Sequence, residues 1–213
     1  MTIRTLLRWG SVACGLLALS SVARAERRLG VYGGATLYTL VESPSEEDAD
    51  IGNRTALSAG LVLDFDVSDR LWIRLAPGWV EKGSTLGFEL FGDDVEARFK
   101  LGYVELPMTL NVSVTSGSVR PYLTGGGTVA YLARARVAGR NPDGVEMEFD
   151  TKESFKDWDF GLTLGGGLEF GDRIQGFIEG RYTWGLANVA EDSDDFTFKN
   201  RGWQVLAGLT FGL

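Results

Sequence analysis

The 213-residue chain contains no histidine and one cysteine, Cys14. Without histidine, neither a Ser-His triad nor a Cys-His pair can be assembled. Cys14 falls inside an N-terminal leader, so the rest of the chain has no thiol. A fold without disulfides must be held by backbone pairing and packing. An excess of basic charge is also missing: 21 Lys and Arg stand against 29 Asp and Glu, a formal net charge of −8. Such a balance makes nucleic acid a poor partner. Finally, no apolar run approaches the ~20 residues that a membrane-spanning helix needs. Any part of this chain that crosses a membrane must therefore do so as a closed barrel of strands.

What is present starts with residues 1–25, which read as a cleaved signal peptide. Arg4 and Arg8 supply positive charge, Val12 to Leu19 an apolar core, and Ala23-Arg24-Ala25 a small-residue cleavage site before Glu26. Ser11, and an apolar run that continues past Cys14, argue against lipid attachment at the cysteine. Removing the leader takes away three arginines and no acidic group, deepening the net charge from −8 to −11. Residues 26–213 are expected to form one domain.

Eight strand-like segments follow, over 29–41, 54–66, 71–83, 97–114, 119–138, 157–170, 174–188 and 197–213. The second, fourth and sixth gaps are tight: Val67 to Arg70, Thr115 to Ser118, and Gly171 to Arg173. The other gaps, 42–53, 84–96, 139–156 and 189–196, are long and polar. Short turns alternating with long loops are the signature of an outer-membrane barrel with periplasmic turns and external loops. A soluble up-and-down barrel has the same strand count, so the count alone decides nothing.

The side-chain alternation decides more. Over 203–213, Trp203, Val205, Ala207, Leu209, Phe211 and Leu213 share one face, against Gln204, Leu206, Gly208, Thr210 and Gly212. Over 104–114, Val104, Leu106, Met108, Leu110, Val112 and Val114 oppose Glu105, Pro107, Thr109, Asn111 and Ser113. Over 158–170, Trp158, Phe160, Leu162, Leu164, Leu168 and Phe170 oppose Asp159, Gly161, Thr163, Gly165, Gly167 and Glu169. A strand has a side-chain period of two, so each carries one bulky apolar face and one face of glycine and polar groups. Eight strands enclose too little space for the bulky face. Turned outward it meets lipid, and the glycines and charges fit the narrow lumen. The expected fold is all-β, an eight-stranded antiparallel up-and-down transmembrane β-barrel.

Parity then assigns Asp64, Arg74, Glu105, Arg120, Glu169, Glu179 and Arg181 to the lumen, where they must pair with one another or with water. Trp79, Tyr131, Trp158 and Trp184 lie at the loop-side ends of their apolar faces, with Phe65, Leu71 and Phe170 near the turns, as two interfacial girdles would require. Glu42, Glu46, Glu47, Asp48 and Asp50 in the first loop, and Glu191, Asp192, Asp194 and Asp195 in the fourth, form an acidic rim. Neither cluster has the spacing of a calcium loop, and no metal or cofactor is expected.

Several phrases carry a family resemblance: Tyr103-Val104-Glu105-Leu106-Pro107; Arg120-Pro121-Tyr122-Leu123 before Gly125-Gly126-Gly127; Asp159-Phe160-Gly161 with Gly165-Gly166-Gly167-Leu168-Glu169; Glu179-Gly180-Arg181-Tyr182 before Gly185-Leu186-Ala187-Asn188; and Lys199-Asn200-Arg201. In this order the chain resembles the bacterial outer-membrane-protein beta-barrel family often called the porin family, PorT-like, over its fourth to eighth segments. The resemblance implies an eight-stranded outer-membrane barrel and says little about activity, because a fold does not specify a function. Most such barrels end on an aromatic residue. Here the last residue is Leu213, and Phe211 is the candidate to carry that part of the assembly signal.

The functional expectation is a structural or interaction protein with a filled lumen and external acidic loops. The alternative is a narrow gated channel for small solutes, and a lipid-modifying enzyme stands a distant third. Expected partners are outer-membrane lipid, lipopolysaccharide and the outer-membrane assembly machinery, with the chain a monomer.

Overall fold

The computed structural model describes residues 26–43, 50–90, 93–140, 146–191 and 197–213. The signal peptide therefore lies outside the described residues, as do Glu46, Glu47, Asp48, Asp192, Asp194 and Asp195.

Strand signals dominate the sequence, and strands dominate the fold. They are β1 (Arg27–Ser43), β2 (Asp50–Ser68), β3 (Leu71–Leu75), β4 (Gly78–Lys82), β5 (Ser84–Leu90), β6 (Asp93–Ser113), β7 (Val119–Arg140), β8 (Glu146–Asp150), β9 (Trp158–Phe170), β10 (Ile174–Gly185) and β11 (Thr197–Gly212). All pairings are antiparallel. β3, β4 and β5 follow one another along a single position between β2 and β6, so they are one interrupted stave. The first interruption falls at Ala76-Pro77, where proline has no N–H to give a ladder. The second falls at Gly83, whose φ of +124° suits glycine alone.

The sheet runs β1, β2, the β3–β5 stave, β6, β7, β9, β10 and β11, and then returns to β1 through a register from Arg28↔Gly212 to Ser43↔Thr197. This closes an eight-stranded antiparallel barrel and leaves no open edge within the ring. The tight turns fall where the sequence places them, at 69–70, 114–118 and 171–173.

Three of the long gaps are shorter than the alternation pattern implies. Residues 42–43 and 50–53 are paired strand. Residues 84–90 and 93–96 are paired strand as well, and 139–156 contains the end of β7 and all of β8, which pairs with β7 from Arg136↔Asp150 to Arg140↔Glu146. Beyond the membrane no lipid selects for apolar residues on alternate positions. These extensions therefore keep their pairing but lose the pattern by which a strand is recognised.

The bulky face points outward. Val104, Leu106, Met108, Leu110, Leu162, Leu164, Val205 and Leu209 are all exposed, with Leu164 at 59%. Exposure on this scale around a whole barrel is a lipid-facing surface. The lumen differs from expectation in one respect, because it is not polar throughout. Tyr32, Val62, Ala76, Phe177 and Leu206 form one buried apolar cluster. Tyr38, Leu40, Val80, Leu101, Tyr103, Ala130, Leu132, Ala135 and Val189 form another toward the loops. Aromatic rings occupy the space left by glycines on the neighbouring strands. A Cβ at Gly202 would fall 2.7 Å from Tyr38, and one at Gly208 would fall 2.5 Å from Phe177.

Candidate functional site

Every lumenal charge sits on an inward position of a paired strand, so the ladder registers decide which charges meet. Arg74 on β3 is directly opposite Asp64 on β2. Its Nε and Nη2 donate to the two oxygens of Asp64 at 2.8 and 2.9 Å. This fork geometry matches a planar guanidinium to a carboxylate. Arg74 is 2% exposed, and its guanidinium lies over the Phe177 ring at 4.2 Å. Its Nη1 reaches Glu179 on β10 at 3.4 Å, and Glu179 also accepts a hydrogen bond from Tyr122 on β7 at 2.9 Å.

From Glu179 the chain of charges continues toward the loops. Arg181 stands 3.5 Å from Glu179, donates to Gln204 at 2.6 Å, and lies 4.0 Å from Glu105. Glu105 is held by Lys82 at 2.7 Å, and Lys82 also reaches Asp159 at 3.2 Å. Lys82 sits over the rings of Tyr38 and Tyr103, at 5.3 and 5.0 Å. Asn200 closes this end, donating to Asp159 at 3.0 Å and to the Tyr103 hydroxyl at 3.4 Å.

Toward the periplasmic turns, Arg28 is the hub. It contacts Glu169 at 2.7 Å, Asp66 at 2.8 Å and Asp64 at 3.7 Å. Arg120 also donates to Glu169, at 2.6 Å. Its side chain is 24% exposed and that of Asp66 28%, because both stand in the periplasmic mouth and not in the sealed interior. That mouth is a vestibule of about 790 Å³ bordered by Arg28, Asp66, Trp72, Arg120, Arg173 and Gln175, among others.

The seven residues assigned to the lumen by parity thus all lie on inward positions. The structure joins them into one series from Asp66 to Asp159. Four members were missed: Arg28, Asp66, Lys82 and Asp159. Lys82 shares parity with Arg74 and Val80 in one apolar segment, so the signal was present. Asp159 stood on the polar face of its own segment. Arg28 precedes the first clear alternation by one residue, and Asp66 ends the second.

The positions that carry the family resemblance divide by face. Tyr103, Glu105, Tyr122, Glu179, Arg181 and Asn200 belong to the lumenal series. Pro107 and Pro121 sit in β6 and β7, and their carbonyls accept from Ala76 and Val114 outside the regular ladder. Asn188 caps a turn, its side-chain oxygen accepting from the backbone N–H groups of Ala190 and Phe198 at 3.2 and 2.9 Å. Tyr182 faces outward and meets Trp184 and Trp203 edge-on at 4.7 and 5.1 Å, with Arg201 paired across from Trp184.

Of the girdle aromatics, Tyr131 and Trp158 are exposed and pack edge-on at 5.3 Å, and Trp184 is exposed. Trp79 is more covered, because the Arg134 guanidinium lies over its ring at 5.8 Å. Of the acidic rim, Glu191 is exposed. No group of three or more potential metal ligands occurs among the described residues.

The geometry matches known barrels. The structure is similar to that of the outer membrane protein OprG from Pseudomonas aeruginosa, with a TM-score of 0.54 at 12% identity over 89% of this chain and 96% of that one. It is also similar to Neisserial surface protein A, with a TM-score of 0.49 at 14% identity over 87% and 97%. A third likeness is to the N-terminal beta-barrel domain of Pseudomonas aeruginosa OprF, with a TM-score of 0.43 at 10% identity over 89% and 99%. No curated protein matches the chain. The family model for the outer membrane protein beta-barrel domain matches residues 20–191. With its closed ring, lipid-facing surface and well over half its length matched, the chain belongs to the outer membrane protein beta-barrel family and resides in the bacterial outer membrane.

Proposed function

We propose that this protein is a filled barrel that works through its wall and its external loops, and not by conduction through its lumen. The observation that carries this reading is the uninterrupted ion-pair series from Asp66 to Asp159, which packs against two apolar clusters along its length. Eight strands enclose only enough space for side chains, and these occupy it. Opening a path would separate buried charges from their partners at a cost of several kcal/mol per ion. In this reading the barrel is a monomer, inserted by the outer-membrane assembly machinery, with the loops free to meet an external partner. Catalysis has no part in it, because a chain without histidine lacks the usual activator of a serine or cysteine nucleophile.

One observation favours a second reading, a narrow gated channel. Arg181 has two carboxylates within reach, Glu179 at 3.5 Å and Glu105 at 4.0 Å, and holds neither as closely as Arg74 holds Asp64. Exchange between them would be a gate. Single-channel recording of the folded protein in a planar bilayer, beside Arg181→Ala, separates the two. Silence from both proteins supports the filled barrel, and discrete openings altered by the substitution support the gate.

A further inference from the structure

We propose that the outer wall of the barrel carries a recess for the phosphate-bearing headgroup of an outer-leaflet lipid, formed by Arg134, Arg136 and Lys100 beside Trp79. This inference does not depend on whether the lumen conducts.

The outward face of β6 and β7 changes character over a few residues. Val104 is exposed and pairs with both Trp79 and Tyr131, which puts this level in the aromatic girdle. A bulge at Gly102/Tyr103 follows. Beyond it the cross-strand pairs are Gly102↔Arg134 and Lys100↔Arg136. At ~3.3 Å per residue, these lie about 7 and 13 Å further along the strand toward the loops. The polar headgroup layer of a bilayer begins where the hydrocarbon and its aromatic girdle end. Arg134 therefore projects sideways into headgroups, with Lys100 and Arg136 at their outer border.

The wall is hollow at this point. A recess of about 250 Å³ is lined by Arg54, Glu81, Lys100, Arg134, Arg136 and Glu148, together with Gly102. At Gly102 the Trp79 ring takes the space a side chain would fill, since a Cβ there would run into it. Charge bookkeeping leaves the recess positive. Glu81 is held by Arg54 at 2.7 Å, and Glu148 is shared between Lys100 at 2.9 Å and Arg136 at 2.8 Å. Asp150, opposite Arg136, accepts from the Lys152 backbone N–H at 3.0 Å. Arg134 has no carboxylate within ion-pair distance among the described residues, only the Trp79 face.

Four cations against the two lining carboxylates, on a chain with a net charge of −8, form a local excess facing the membrane laterally. Phosphate oxygens complement a planar guanidinium and an ammonium held side by side. A lipid is the occupant this placement selects, because at this height the outward direction leads into the leaflet and not into free solvent.

The test uses the folded full-length chain in phosphatidylcholine nanodiscs doped either with lipid A, which carries phosphate on a glucosamine head, or with the same lipid stripped of phosphate. After transfer to mild detergent, lipid retained by the protein is counted by native mass spectrometry. Wild type is expected to retain the phosphorylated lipid about tenfold better than the stripped one. Arg134→Glu breaks no ion pair and should abolish that preference, and Arg134→Gln should reduce it. Arg173→Ala, at the periplasmic end, should leave it intact. Heat-modifiable migration checks that each variant is folded. Equal retention by wild type and both Arg134 variants, or no dependence on the phosphates, overturns the proposal. So does displacement of the lipid by millimolar inorganic phosphate, which would mark a site for free anions.

Discussion

Tyr122 on β7 donates its hydroxyl hydrogen to Glu179 on β10 at 2.9 Å, across the intervening strand β9. The contact exists because the residue between them is Gly167, paired with Tyr122 on one side and with Glu179 on the other. A Cβ at Gly167 would fall 2.6 Å from the Tyr122 hydroxyl oxygen. The phenol lies in the space that a side chain would have filled, and the lumenal charge series continues through it to Arg74.

Gly167→Ala should therefore push Tyr122 off Glu179 and destabilise the barrel by about 1–3 kcal/mol, the usual cost of overpacking. Gly180→Ala, where nothing lies within 4 Å of the added carbon, is the comparison and should be close to neutral. Urea unfolding in lipid vesicles, followed by tryptophan fluorescence, reads both. Equal midpoints for the two variants would remove the role given to Gly167.

Arg74 neutralises Asp64 and contributes to holding Glu179, all three nearly inaccessible. Arg74→Met leaves Asp64 buried without its opposite charge, and a loss of about 3–5 kcal/mol is expected. Adding Asp64→Asn to it removes the stranded charge and should recover part of the loss. If the double variant is less stable than the single one, the pair is not the stabilising unit.

Leu164 lies midway along β9 on the lipid face. Leu164→Arg should cost about 2–4 kcal/mol in a bilayer, since a charge at the midplane has no water to meet. An unfolding midpoint in vesicles equal to that of wild type would mean that this face does not contact hydrocarbon.

Glu148 lies on β8, beyond the hydrocarbon-spanning part of the barrel. Hydrogen bonds from Lys100 and then Arg136 hold its carboxyl below the ordinary glutamate range. A carboxyl lowered in the folded state adds stability above its unfolded pKa and loses it as pH falls through the folded value. Attachment of β8 should accordingly be complete at neutral pH and weaken in acid. A carboxyl-carbon NMR titration should place Glu148 below an unperturbed glutamate, and Lys100→Ala should raise it. No change on that substitution would show that the hydrogen bond is not the cause.

Much of this molecule is legible in the chain itself. The lipid face is plain because hydrocarbon accepts only apolar groups, which imposes a strict period of two from Val104 to Val114 and from Trp158 to Phe170. Closure into eight staves follows from the turns and from the lack of any helix-length apolar run. Parity alone sends Asp64, Arg74, Glu105, Glu169, Glu179 and Arg181 inward. The strand extensions at 84–90 and 146–150 were hidden, because backbone pairing above the membrane needs no apolar alternation.

Along an unbroken strand the chain alone settles which way each side chain faces, since that depends only on the pleat. Which charges meet was decided by the tertiary structure. Arg28 and Glu169 stand 141 residues apart and face each other at 2.7 Å across the lumen. Arg134 lies outside, over Trp79, because a bulge at Gly102 resets the register of β6 against β7. Register, bulge and ring closure are relations between strands. No single strand's pattern contains them.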